Sequence, residues 1–512
     1  MNIPILRTLK PELQYFISFV LGLLSALAFA PVFLFPILLI TFPCFLVLIS
    51  YSTKKSSFLL GWWFGFGYFI AGLYWISFAL LVDINSFGWL IPVAVLLMPA
   101  ITAIYIGFIG LLTKILSKNK YQLLVNFICL WVLFEIIRVN ILTGSPWLLL
   151  GYSLCFWDAM LQSASVFGIY GLSFIVLCVV CTPYLLLDHY KKLDSVFITI
   201  ALLIFTTNFG FGYFRLQNST SELSNSMIRI VQANISQNLK WDYNERLNNL
   251  IKHANLTKQN NDKIDYVIWP ESAISFPMSL QNRLRISDII PKNSFLLVGG
   301  IRVNNEINPT EIWNSMFLIN STGQIIDFYD KIHLVPFGEY VPLKKFIPIT
   351  KVTQGAIDFS PGSSLKTIKV SKNLPSFAPL ICYEAYFPED VVLKEQLPDF
   401  IVNFTNDAWY GNTSGPYQHL YMTKLRAIEQ GIPIARAANT GISAIIDPYG
   451  RILKMLPLNK EGIIDLQLPK ALKTTTIYSK YLNSIVFAII PIFFLICSQS
   501  INKLTKFGSK SQ

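Results

Sequence analysis

The sequence predicts a membrane α-helical bundle of eight transmembrane helices joined to one soluble α/β domain. Three observations lead there. Apolar runs long enough to cross about 30 Å of hydrocarbon recur eight times along the 512 residues. Between the seventh and eighth lies a long stretch of ordinary polarity, in which short β-branched runs alternate with polar helical segments. The composition agrees: mean hydropathy is +0.50 and only 14% of residues are charged, against about 25% in soluble proteins. Disorder, collagen and small disulfide scaffolds are excluded on the same grounds.

The apolar runs fall near 13–30, 32–51, 58–81, 88–113, 121–138, 164–187, 194–213 and 481–499, with Pro31 dividing the first two. Ala28-Phe29-Ala30 runs straight into Pro31, and seven further spans follow, so the first run is not read as a cleaved signal peptide. The formal charge of +12 raises the question of a nucleic-acid partner. Its distribution answers it. Residues 215–477 hold 27 Lys/Arg and 23 Asp/Glu, while the remaining 249 residues hold the other 14 basic and six acidic groups. Two thirds of the surplus therefore sits in the greasiest part of the chain, and no nucleic acid is expected. Arg7, Lys10, Lys54, Lys55, Lys114, Lys118, Lys120, Lys191, Lys192, Lys503, Lys506 and Lys510 fall in loops on one side, with only Glu12, Asp188 and Asp194 as anions. Positive-inside bias makes that side, with both termini, cytoplasmic. The insert is then extracytoplasmic. The expected domains are 1–214 (seven spans), 215–477 (soluble domain) and 478–512 (eighth span and tail).

Within the insert, strands are expected at Ile228–Ile235, Tyr266–Trp269, Phe295–Gly299, Leu380–Cys382, Phe400–Phe404 and Ala444–Ile446. Helices are expected over 243–260, 280–289 and 416–430, and hairpins at Asn320–Gly323 and Asp447–Gly450. Pro388, followed by Glu389 and Asp390, reads as a helix start.

Cys44, Cys129, Cys178, Cys181 and Cys497 fall in spans and Cys155 in an outer loop, so Cys382 is the one cysteine of the soluble domain. It can form no disulfide there, and a lone thiol in an oxidising compartment invites a reactive reading. Pro379-Leu-Ile-Cys-Tyr-Glu384 is a strand that breaks at once, which exposes a nucleophile beside backbone N–H groups. Attack requires a base and a neighbouring cation. Glu271 closes Tyr266-Val-Ile-Trp-Pro-Glu271, at a strand's C-terminal end where α/β sites collect, and suits the base. Lys331, in the apolar strand Asp327–Pro336, suits the cation; its bland alternative is a surface lysine paired with Asp330. A Cys382–His333 dyad lacks a third partner to orient the ring. His189, His253 and His419 are scattered, and no ligand spacing supports a metal. Glu135 and Arg138, at i and i+3 in the fifth span, read as a structural ion pair.

Glu271, Lys331 and Cys382, each at a strand end, resemble the Glu–Lys–Cys triad of the nitrilase superfamily. With its spans included, the chain resembles the apolipoprotein N-acyltransferase family. The matching segments are Val231-Gln-Ala-Asn-Ile-Ser-Gln-Asn-Leu-Lys-Trp-Asp242, Ile268-Trp-Pro-Glu-Ser-Ala273 and Tyr329-Asp-Lys-Ile-His-Leu-Val-Pro-Phe-Gly-Glu-Tyr-Val-Pro342. Asn403–Gly411, Arg436–Ser443, and Gly144–Trp147 with Gly151-Tyr152 also fit. The resemblance implies an αββα sandwich of nitrilase (CN hydrolase) type for 215–477. It makes Glu271 the base, Lys331 the oxyanion and thiolate partner, and Cys382 the nucleophile. Glu339 matches a second glutamate that would orient Lys331 or share a proton with Glu271. Trp241, Tyr383 and Glu384 match residues that line the family's pocket, and Asn314 would hydrogen-bond nearby. Trp147, in the outer 139–163 loop with Trp157, would face the pocket or belong to an aromatic interface belt.

The implied reaction is ping-pong acyl transfer. Cys382 takes an acyl chain from a membrane phospholipid and passes it to the α-amino group of a diacylated apolipoprotein. The implied setting is the bacterial cytoplasmic (inner) membrane, with the catalytic domain periplasmic. No cofactor and no metal are expected, and the protein is expected to be a monomer. Pro336–Val352, with Lys344 and Lys345 among prolines and aromatics, suits a lid dipping into headgroups. Two alternatives stand: a membrane-anchored nitrilase-type amidase acting on a small C–N substrate, and a polytopic transporter or lipoprotein-binding factor carrying an inactive enzyme domain.

Overall fold

The structure, a computed structural model, describes residues 9–494 except 188–190, 261–262, 277, 305–309, 347–349, 354 and 356. Arg7, Asp188, His189, Cys497, Lys503, Lys506, Lys510 and part of the expected lid therefore lie outside the described residues. Two compact units emerge. One comprises 9–77, 89–218 and 481–494; the other comprises Phe78–Gly88 and Ser219–Lys480.

Among the described residues, six helices are long and apolar enough to cross a membrane: Pro11–Ala28, Lys54–Leu81, Ile84–Leu116, Lys120–Asn140, Ala164–Leu187 and Lys192–Gln217. Two shorter apolar helices, Phe35–Tyr51 and Ser484–Phe494, stand at the second and eighth expected positions. The second is short because the chain turns around Pro31 before its first helical turn at Phe35–Ile37. Small residues let helices of the first unit approach closely. A Cβ on Gly22 would lie 2.0 Å from the Phe64 carbonyl oxygen, and one on Gly61 would lie 2.4 Å from that of Ile106. Glu135 and Arg138 are both buried, but their hydrogen bonds go elsewhere than to each other. Arg138 donates to the Ser145 and Trp147 carbonyls at 2.7 and 2.8 Å, while Glu135 accepts from Trp131 Nε1 and Leu150 N–H. The expected ion pair is thus replaced by bonds that pin the following loop.

Among the described residues, the second unit has eleven strands: β1 (Leu223–Gln232), β2 (Tyr266–Ile268), β3 (Phe295–Asn304), β4 (Glu311–Asn320), β5 (Ile325–Asp330), β6 (Phe377–Ile381), β7 (Phe400–Thr405), β8 (Ile434–Ala438), β9 (Ser443–Ile446), β10 (Ile452–Leu456) and β11 (Gly462–Pro469). They form a six-stranded sheet in the order β11-β1-β2-β3-β4-β5 and a five-stranded sheet in the order β10-β9-β8-β7-β6. Side chains alternate with period two. Ile228, Ile230, Ile268, Leu297, Met316 and Leu318 of the first sheet meet Phe377, Phe400, Val402, Phe404, Ala435 and Ile445 of the second in one buried core. The opposite face of the first sheet (Val231, Val267, Val298) is covered by Leu250 and Leu256 of helix Arg246–Thr257 and by Ile286. On the second sheet Leu380, Ile401 and Ile434 are covered by Leu420 and Ala427 of helix Gly415–Gln430. This is the αββα sandwich.

Both expected hairpins form: Asn320–Gly323 joins antiparallel β4 and β5, and Asp447–Gly450 joins antiparallel β9 and β10. The helix expected from Pro388 does not. A 3₁₀ turn begins at once at Cys382 and runs to Tyr386, and the chain after Pro388 is irregular. Val391 and Val392 there are core residues against Ala378, Leu380 and Leu420. Burying both of two successive valines suits an irregular segment better than one stripe of a helix.

Candidate active site

Cys382 follows the last residue of β6 and has φ of +51°, in the left-handed region that side chains rarely adopt. Such local strain persists where surrounding structure enforces it. Here the enforcing group is Glu384. Its buried carboxylate accepts hydrogen bonds from the N–H groups of Ile381 (2.6 Å) and Ile332 (2.6 Å) and from the Tyr329 hydroxyl (2.8 Å). It therefore clamps the cysteine turn to the segment that carries Lys331. The Glu384 oxygens are thus taken up by groups of the protein itself. β7 lies parallel beside β6, and from its last residue the Thr405 hydroxyl donates to Cys382 Sγ at 3.2 Å.

Glu271 follows β2, whose parallel neighbours are β1 and β3. Close backbone approach sets its position: a Cβ on Gly299 of β3 would lie 2.6 Å from Glu271 Cα and 2.4 Å from Ser272 N. Only glycine fits there. Lys331 is the first residue after β5, and its N–H donates to the Asn314 carbonyl on β4 at 2.9 Å. Asp330, the partner of the bland reading, is taken by a bidentate Arg302 at 2.9 and 2.6 Å. Lys331 instead turns inward, 1% exposed, with Nζ 2.8 Å from Glu339 and 3.6 Å from Glu271. Asn314 closes the set: its Nδ2 donates to Glu271 Oε1 at 2.7 Å and to Glu339 Oε1 at 2.8 Å. The two carboxylates thus share one amide and one ammonium, and the remaining Glu339 oxygen also accepts from Val335 N–H at 2.8 Å.

The electrostatics follow from burial. Desolvation pushes the Cys382 thiol well above its usual range, Glu271 adds to this, and Lys331 and the Thr405 hydroxyl oppose it. The resting sulfur is therefore protonated. Burial alone would discharge Lys331, but Glu339 and Glu271 outweigh it and hold the ammonium charged. The arrangement offers a thiol that must lose its proton as it attacks, carboxylates to receive that proton, and a fixed cation for developing negative charge.

Of the other expected residues, Tyr383 is buried edge-on against Tyr386 and Phe387, while Trp241 caps the short helix Gln237–Lys240 and is half-buried. Trp147 belongs to the helical unit and is buried against Trp75 with ring centroids 4.5 Å apart, so it is no exposed belt residue. His333 stacks on Phe387 and bonds Asp390 at 3.0 Å, away from any dyad with the sulfur. Lys240 and Thr405 were missed. Both stand in matching segments of the sequence, but nothing there says that Thr405 meets the Cys382 sulfur or that Lys240 meets the Glu271 carbonyl. Among the described residues, Cys382, Asp407 and His419 bring possible metal-ligand atoms within 4.8 Å of one another. Asp407 is, however, engaged by His419 Nδ1 and by the buried Arg436 guanidinium, which leaves a poor metal ligand.

Sandwich and site define the class: a carbon–nitrogen hydrolase domain in one chain with an apolar helical unit. Comparison with known families agrees. The carbon–nitrogen hydrolase family matches residues 227–478, and the apolipoprotein N-acyltransferase N-terminal domain matches residues 21–182. Apolipoprotein N-acyltransferase of Rickettsia typhi is 39% identical over 94% of this chain and 96% of its own, and that of Rhodopseudomonas palustris is 36% identical over 91% of each. An amidase from Nesterenkonia sp. aligns over 52% of this chain and 97% of its own, at 19% identity and a TM-score of 0.36. The chain belongs to the apolipoprotein N-acyltransferase family.

Proposed function

We propose that the protein transfers an acyl chain from a membrane phospholipid to the α-amino group of the diacylglyceryl-cysteine of an apolipoprotein, through a thioester on Cys382. The observation that carries the mechanism is the buried chain Glu271–Asn314–Glu339–Lys331, in which Glu271 and Lys331 follow the ends of β2 and β5, with the cysteine turn clamped to it by Glu384. In the first half-reaction the Cys382 sulfur attacks the ester carbonyl as its proton passes to Glu271. Lys331 holds the oxyanion. The C–O bond then breaks, and Glu271 returns the proton to the departing lysophospholipid. In the second half, the acceptor amine attacks the thioester, Glu271 takes a proton from nitrogen, and the sulfur leaves and is reprotonated. Glu339 and Asn314 keep Lys331 and Glu271 in register throughout, and no step calls for a cofactor.

The reaction belongs at a bilayer, because both substrates carry acyl chains and water must be kept from the thioester. We place the protein in the bacterial cytoplasmic membrane with both termini inside and the α/β unit on the periplasmic side, on the positive-inside reading of its loops. We also take it to act as a monomer. The lipid substrate is preferred over a small amide because one or two spans would suffice to anchor an amidase, whereas apolar helices occupy much of the first unit. The test is intact-mass and peptide analysis after exposure to a defined diacyl phospholipid. One acyl chain on Cys382, lost on adding a diacylated lipopeptide, supports the reading. Efficient hydrolysis of a small amide with an unmodified Cys382 would overturn it.

A further inference from the structure

The site as described so far is unbalanced. With both carboxylates ionised, Glu271 and Glu339 face one ammonium on Lys331. Converting the thiol to a thiolate by moving its proton to Glu271 leaves the total unchanged but still negative, in a setting where an uncompensated buried charge is costly. A second cation lies within reach. Lys240, 4% exposed, donates from Nζ to the Glu271 carbonyl oxygen at 2.7 Å.

We propose that Lys240 is a positioning residue that supplies the second positive charge of the site, fixing the Glu271 backbone and favouring the Cys382 thiolate. Its placement is built in. The short helix Gln237–Lys240 is tied down by Asn406, whose Nδ2 donates to Gln237 Oε1 at 2.7 Å, and by Asn439, whose Nδ2 donates to the Asn406 side chain and to the Ile235 carbonyl. The next helix adds a bond from Asn249 Nδ2 to the Leu239 carbonyl. The groups that face Lys240 electrostatically are Glu271, which attracts it, Cys382, which attracts it once ionised, and the buried His253 ring, which stays neutral. Burial draws the lysine down to about 8 against those two attractions. Its charge is therefore present at neutral pH and fades just above it. With Lys240 charged, two cations face Glu271 and Glu339, and transfer of the thiol proton to Glu271 takes place beside one more positive charge.

This inference rests on Cys382 being the nucleophile, and its test separates the two claims by using no lipid. The full chain in detergent is alkylated with iodoacetamide across pH 6–10, and the rate is read on the Cys382 peptide by mass spectrometry. A Cys382 peptide that takes up no label at any pH in that range would count against the nucleophile reading itself. Lys240→Gln keeps a donor for the Glu271 carbonyl and drops the charge. Its alkylation at pH 7.5 should slow about tenfold, the equivalent of one unit in the thiol, while Lys240→Arg tracks the wild type. Above about pH 8 the wild-type rate should rise less steeply than that of Lys240→Arg, whose charge persists. This second comparison decides the matter should the glutamine variant fail to fold. Overlapping profiles for wild type and Lys240→Gln, or for wild type and Lys240→Arg above pH 8, would overturn the proposal.

Discussion

Asn314→Ala removes the amide that, beside the Lys331 ammonium, touches both carboxylates. Asn314 Nδ2 makes charge-assisted bonds of 2.7 and 2.8 Å to Glu271 and Glu339, in a site where Asn314 is buried and water cannot substitute freely. A hydrogen bond to a charged group contributes about 1.5–3 kcal/mol. The two bonds together set a ceiling of about 3–6 kcal/mol on the loss, divided between folding and catalysis. The share that reaches catalysis is the bond to Glu271, because Glu339 retains Lys331 and the Val335 N–H while Glu271 loses its shortest side-chain contact. One bond's worth in the transition state slows thioester formation about 10- to 150-fold. Lys331 should then lean toward Glu271, deepening the defect at low substrate and saturation alike. The assay is single-turnover acylation of Cys382 by a defined phospholipid, followed by intact mass, with thermal denaturation run in parallel. A rate within about twofold of wild type in a folded Asn314→Ala protein would refute the bridging role.

Other expectations follow from neighbouring groups. Thr405→Val removes the hydroxyl that donates to Cys382 Sγ at 3.2 Å. Alkylation of the Cys382 peptide should slow several-fold and its pH profile move upward, since a hydrogen bond to the thiolate is lost. Glu384→Gln cannot accept at all the positions its carboxylate fills, so the clamp between the cysteine turn and Ile332 should weaken. The melting temperature should drop by an amount corresponding to about 1–3 kcal/mol, with acylation falling in step. His253 is buried with its ring on Trp269 and is pushed down to about 4, chiefly by burial. The unfolded chain therefore binds a proton that the folded chain refuses between about pH 4 and 6.5, so stability falls as pH falls through that window. The cost is on the order of 1 kcal/mol at pH 5.5, and His253→Gln should flatten that part of the melting-temperature profile.

Much of this could be read from the sequence because the triad stands at strand ends, and strand ends announce themselves. The runs before Glu271 and Cys382 are short and β-branched and stop at a proline or a polar break, which places the side chains at the edge of a sheet. Asn314 was harder. It sits mid-strand in β4, where alternation says only which face it takes, and its role depends on pairing with β5 that brings Lys331 beside it. Lys240 was not legible at all. A lysine in a short polar helix reads as a surface residue, and its burial comes from Asn406 and Asn439, nearly 170 and 200 residues away. Glu384 shows the converse: a charged residue next to the nucleophile invites a chemical reading, whereas its oxygens serve backbone N–H groups and the Tyr329 hydroxyl. The helix expected at Pro388 failed because local start signals were outweighed by the burial of Val391 and Val392.

The most direct measurement is the mass of the Cys382 peptide after the full-length protein has met a diacyl phospholipid in the absence of acceptor. The expected result is one added acyl chain on Cys382, with a stoichiometric lysophospholipid, and no adduct in Cys382→Ala or Glu271→Ala. Acyl transfer to a diacylated lipopeptide that persists in Cys382→Ala, or an acyl chain found on a different residue, would contradict it.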